Sequence, residues 1–158
     1  MDTRLYSPFI NSIKDVFKQM TGIEVYLDKD FYTENDDLVS LGVTSIISFS
    51  GKIKGRLLLD MEKSLALEVA KNITGTDFDN VKEYMVLASV QELNNIISGD
   101  AITKLNNEFG VSLRLAPPIV FAGKDAVVSV PKVEPVSMDC GTSYGKLKVN
   151  IAFEEGGI

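Results

Sequence analysis

Apolar residues recur every three or four positions through NVKEYMVLASVQELNNIISGDAITKLNNEF, residues 80–109, and no proline interrupts them. That spacing predicts one long α-helix, opened by the cap-type residues Asp79 or Asn80, with Gly99 as a point of weakness. Val86, Val90, Leu93, Ile97 and Ala101 fall on one face of such a helix, which must be buried. Roughly opposite runs a second stripe, Ala88, Glu92, Asn95 and Gly99, spaced four, three and four residues apart. Its polar pair, Glu92 and Asn95, are neighbours at i, i+3. The small residues one turn to either side leave both side chains open to approach.

The remaining pattern alternates between helical and strand periods. Ser7 and Pro8 read as an N-cap and first helical residue, followed by the stripe Phe9, Ile13, Val16, Phe17 and Met20 and a stop at Thr21-Gly22. IEVYLD, 23–28, alternates like a strand, and TENDD, 33–37, is turn-like. LVSLGVTSIISFS, 38–50, and KIKGRLLLD, 52–60, read as a hairpin turning at Ser50-Gly51, with one face buried. Asp60 is then a candidate N-cap for a helix carrying Met61, Leu65, Val69 and Ile73 and ending at Thr74-Gly75. After Gly110 the chain returns to β character: VSLRLA, a break at Pro117-Pro118, then IVFAG, DAVVSVP, PVSMDC and GKLKVNIAFEE. Three helices and seven or eight strands result, in the order α-β-β-β-α-α-β-β-β-β. The expected fold class is α+β: one domain over residues 1–158, with a largely antiparallel β-sheet and helices layered on it.

Composition narrows the chemistry. With 16 Lys and Arg against 22 Asp and Glu the net charge is −6, and no basic run occurs. Nucleic acid and anionic membrane, which demand clustered cations, are therefore not expected partners. No segment approaches the roughly 18 apolar residues of a membrane span, and MDTRLYSPFI lacks an apolar signal core. A lone Cys140 cannot form an internal disulfide, which points to a reducing cytoplasm. The chain has no His, which removes Ser-His-Asp and Cys-His catalysis and the commonest zinc ligand. One Cys cannot build a thiolate zinc site, and neither G-x-x-x-x-G-K-[ST] nor G-x-G-x-x-G is present. No bound metal or cofactor is expected, and any chemistry falls to carboxylates, amides and a partner's groups.

ASVQELNNIISGDAI, with Pro118 twenty-three residues after Asn95, resembles the motif of the chemotaxis phosphatases CheC, CheX and FliY. That motif reads Asp or Ser, three residues, Glu, two residues, Asn, twenty-two residues, Pro. Glu92, Asn95 and Pro118 match it, while Ala88 stands where Asp or Ser is usual. The opening SPFINSIKDVFKQMTGIEV and LAPPIVFAG also resemble CheX, so the likeness covers most of the chain. Family members carry Glu-x-x-Asn once or twice. In the first helix Asn11 and Asp15 do not fit a second copy. Asp77-x-x-Asn80 has the wrong acid and falls at a helix start, and in Gln91-x-x-Asn94 the amide Asn94 lies nearer the apolar face. One site per chain, as in CheX, is expected.

The resemblance implies a phosphatase that hydrolyses the aspartyl phosphate of a CheY-like response regulator in bacterial chemotaxis or two-component signalling. Two alternatives stand beside it. One is a non-catalytic adaptor that binds a response regulator; the other is a FliY-like flagellar-switch component, disfavoured because no further domain is fused here. On the phosphatase reading Asn95 orients the water and Glu92 pairs with the regulator's active-site lysine. Ala88 and Gly99 border the docking surface, and Pro118 shapes the turn beneath the site. Mg2+ is expected in the response-regulator partner, and the resemblance implies a homodimer joined through its sheet.

Overall fold

Three helices and ten strands make up residues 3–129 and 135–154, the part of the chain that the computed structural model describes. Their order is α1 (Thr3–Thr21), β1 (Tyr26–Leu27), β2 (Tyr32–Thr33), β3 (Leu38–Val39), β4 (Gly42–Ser50), β5 (Lys54–Glu62), α2 (Lys63–Thr74) and α3 (Tyr84–Phe109). There follow β6 (Arg114–Leu115), β7 (Ile119–Ala122), β8 (Val127–Val128), β9 (Val136–Thr142) and β10 (Gly145–Glu154). The last two residues of DAVVSVP and the final Glu of GKLKVNIAFEE lie outside the described residues.

The expected α+β class is what forms. The main sheet runs β1-β9-β10-β5-β4-β6, with β2 also on β9 and β7 also on β4, and every pair is antiparallel. β3 and β8 form a separate two-stranded ribbon. The predicted hairpin is present, β4 and β5 pairing from Gly42 opposite Glu62 to Ser50 opposite Lys54. It is not one-sided, however. Leu57, Leu58 and Leu59 are all fully buried although successive strand residues point to opposite faces. A central strand covered on both sides reads as a continuous apolar run, and RLLLD is one.

Helix α1 starts a full turn earlier than expected, so Pro8 lies inside it and Ser7 is not its cap. Pro8 forfeits one helical hydrogen bond. Burial of Tyr6 offsets this: its ring lies 5.5 Å from Phe153 and 6.3 Å from Phe31. Phe9 stacks on Phe49 at 5.6 Å, which docks the same helix on β4. The predicted stops hold, Gly22 and Gly75 closing α1 and α2 at φ +71° and +78°, a conformation that only glycine adopts cheaply.

Asp60 is not an N-cap. It lies within β5, 2% exposed, and α2 begins after Glu62, whose side chain makes no capping bond. Met61, expected on the helix, is a fully buried strand residue. The Asp60 carboxylate instead accepts the Leu41 N–H at 2.9 and 3.1 Å, the Thr44 hydroxyl at 3.0 Å and the Ser40 hydroxyl at 3.3 Å. That bond set breaks the long run 38–50 into β3 and β4. Burial raises the Asp60 carboxyl above its ordinary range, although these donors pull the other way. β1 and β6 are likewise shorter than their alternating sequences, two residues each.

Candidate functional site

Helix α3 starts at Tyr84 rather than at Asn80, because Asn80 spends its side chain on a turn, accepting the Lys82 N–H at 2.9 Å. It then continues without a break through Gly99 to Phe109. Val86, Val90, Leu93, Ile97 and Ala101 are all fully buried, so the predicted inner face is correct. What fixes the rotation of the helix is polar. Asn94, 0% exposed, donates from Nδ2 to the carbonyl and to the hydroxyl of Ser45 on β4, each at 3.1 Å. Its Oδ1 accepts the Ser98 hydroxyl at 3.0 Å. A buried amide with every group engaged tolerates little displacement.

With Asn94 pinned inward, Glu92 is exposed and Ala88, Asn95 and Gly99 are half-buried along the outer stripe. Neither the Glu92 carboxylate nor the Asn95 amide makes a hydrogen bond or ion pair with any described residue. Both are held on a rigid element with their bonding capacity unspent. A Cβ added to Gly99 would meet only Leu115 Cδ1, at 3.9 Å, so internal packing does not require glycine there. The half-buried Pro118 lies between β6 and β7, both of which pack against α3 beside this stripe.

The other polar groups are committed to structure. Lys148 pairs with Glu34 at 3.0 Å, and the hydroxyl of Tyr32 donates to Asp139 at 3.2 Å. Lys148, Glu34 and Asp139 line a cavity of about 530 Å³ beside β9 and β10. Burial works against the Lys148 charge more than any single partner favours it, but the bond and charge of Glu34 together with Tyr32 outweigh it and hold the ammonium above its ordinary value. Cys140 is buried, and desolvation, aided by Asp28 and Asp139, pushes its thiol up to about 12, far from a nucleophilic thiolate. Among the described residues no group of three or more His, Cys, Asp or Glu could hold a metal ion.

The longest helix of this antiparallel α+β fold thus presents Glu92 and Asn95 on its outer side with no partner among the described residues. The profile of the family described as "Chemotaxis phosphatase CheX" matches residues 43–140, well over half of the chain, and the protein belongs to that family. It is 27% identical over 125 residues to the CheY-P phosphatase CheX of Thermotoga maritima, covering 79% of each chain. A CheC-like superfamily protein from Shewanella sp. PV-4 superposes with a TM-score of 0.89 at 28% identity, over 98% of this chain and 99% of that one. The CheX of a CheX–CheY–BeF3–Mg2+ complex from Borrelia burgdorferi superposes at 0.80 over 96% and 98%; at 24% identity this likeness speaks for the fold.

Proposed function

We propose that this chain is a phosphatase that hydrolyses the aspartyl phosphate of a CheY-type response regulator, as the name of its Thermotoga relative says of that protein. The observation that carries the site assignment is the pair of unpartnered groups on the outer face of α3, Glu92 and Asn95. An acyl phosphate needs little covalent assistance; in-line water and charge neutralisation suffice. Asn95 suits the first task, since its C=O accepts a hydrogen bond from the water while its NH2 donates one to a phosphoryl oxygen. The water attacks phosphorus, the P–O bond to the aspartyl carboxyl breaks, and inorganic phosphate leaves with the carboxylate restored on the regulator's aspartate.

A carboxylate one turn from that amide would repel phosphate unless a cation accompanies it. Among the described residues Glu92 has no cation beside it, so it takes the active-site lysine of the regulator and aligns the two proteins. Ala88 and Gly99 keep the approach flat. Mg2+ belongs to the receiver on this reading, in keeping with the Mg2+ and CheY present together in the Borrelia complex. A cytoplasmic homodimer completes the proposal; among the described residues no helix is long and apolar enough to cross a membrane.

The second reading is an adaptor that binds the regulator without hydrolysing it; Ala88, in place of the family's Asp or Ser, alters the docking border and leaves Glu92 and Asn95 in place. Decay of a phosphorylated response regulator with and without this protein decides between them. An accelerated decay that vanishes in Asn95→Ala supports the phosphatase; binding without acceleration supports the adaptor.

A further inference from the structure

Eight large apolar side chains are well exposed among the described residues, and four of them, Tyr84, Met85, Ile96 and Ile119, lie on α3 or on the strand β7 packed against it. Ile96 is 41% exposed, follows Asn95 directly and stands one helical turn beyond Glu92. Met85, 46% exposed, lies two turns before Glu92 on the same side of the helix. Ile119, 60% exposed, follows Pro118 on the β7 flank. None of the three is needed for the core, which Leu93 and Ile97 already fill from the other side of α3. An apolar border around two unspent polar groups has the composition of an interface centre.

We propose that Ile96, supported by Met85 and Ile119, forms an apolar rim that seats the receiver domain of the phosphorylated response regulator around the Glu92–Asn95 pair. This rests on the phosphatase reading and adds where the docking affinity comes from. The occupant follows from contiguity, since whatever reaches Asn95 must cover its sequence neighbour Ile96. Charge points the same way. The protein carries a net charge of −6 and the phosphoaspartate is anionic, so the phosphoryl group itself is not drawn to this surface. A single Glu92–lysine pair at an exposed site supplies only part of the affinity once its desolvation is counted. Burial of apolar surface, insensitive to salt, is the contribution left. The rim also removes bulk water from around the phosphoryl group, leaving the one molecule that Asn95 holds.

The probe is a CheY receiver domain charged with beryllofluoride and Mg2+, titrated against the wild-type protein and Ile96→Ser, Ile96→Leu and Val127→Ser. Val127 is 65% exposed on the separate ribbon and serves as an equally apolar control. Ile96→Ser is expected to raise Kd about tenfold at low and high salt alike, Ile96→Leu to restore it, and Val127→Ser to match wild type. With the phosphorylated receiver, the loss for Ile96→Ser falls on KM rather than on the saturating rate. A Kd for Ile96→Ser within about twofold of wild type, or an equal loss in Val127→Ser, overturns the rim. If wild-type protein shortens the life of the aspartyl phosphate but Ile96→Ser behaves identically, the rim alone fails. If Ile96→Ser weakens binding while wild type leaves that lifetime unchanged, the rim stands and the phosphatase reading fails.

Discussion

Replacing each of two adjacent asparagines by alanine should have opposite consequences. Asn94→Ala removes two bonds to Ser45 and the acceptor for Ser98, and strips the buried Ser45 and Ser98 hydroxyls of this partner. A buried group stripped of its partner costs about 1–3 kcal/mol. The Ser45 hydroxyl and Ser98 can relax toward other acceptors, so the loss should total about 3 kcal/mol rather than the full sum. In a chain of this size that lowers Tm by about 6–12 °C. Asn95→Ala removes a half-buried amide that bonds to none of the described residues, and the change should stay within about 0.5 kcal/mol. Urea unfolding of both variants, followed by circular dichroism, gives the two values directly. Equal losses, or a neutral Asn94→Ala, would falsify the helix rotation on which the site depends.

Three further outcomes are expected. Glu92→Ala should weaken binding of the phosphorylated receiver and reduce the salt dependence of activity, because the pair with a partner lysine is lost; an unchanged salt profile contradicts the docking role. For Asp60 the folded-state pKa is raised, so the native state binds the proton more tightly than the unfolded chain does. The group therefore lowers stability progressively as pH rises through the ordinary aspartate range and on to its raised value. Denaturant unfolding of wild type against Asp60→Asn should show the variant gaining ground over that interval; a difference independent of pH would overturn the assignment. The proposed homodimer should sediment near twice 17.3 kDa at micromolar concentration, and a monomer across that range removes it without touching the chemistry.

Much of this was legible in the sequence because the long helix carries an unambiguous period. Leu93 and Ile97 against Glu92 and Asn95 is a contrast that helical geometry alone resolves, and Asn94 announced its inward position by its phase. Asp60 was misread for a physical reason: an aspartate before an apolar helical run is the usual cap, and only the distant Leu41, Ser40 and Thr44 make it a buried acceptor. Pro8 misled in the same way. It is most at home in a first turn, but the ring contacts of Tyr6 with Phe31 and Phe153 extend α1 beyond it. The strands β1 and β6 shrank because pairing depends on neighbours far along the chain, which alternation in one segment does not reveal. Ile96, proposed as part of a docking rim, left a fainter signal, an apolar residue out of phase with the buried stripe of α3.

The most direct test of the central claim is single-turnover decay of the aspartyl phosphate at saturating protein, comparing wild type with Asn95→Ala. If the amide places the attacking water, Asn95→Ala should bind the phosphorylated receiver nearly as tightly as wild type and lose most of the rate, with Asn95→Gln retaining part of it. Asn95→Asp should be slower than its size suggests, since it cannot donate to the phosphoryl oxygens and brings a repelling charge. Hydrolysis by saturated Asn95→Ala at the wild-type rate would contradict the account.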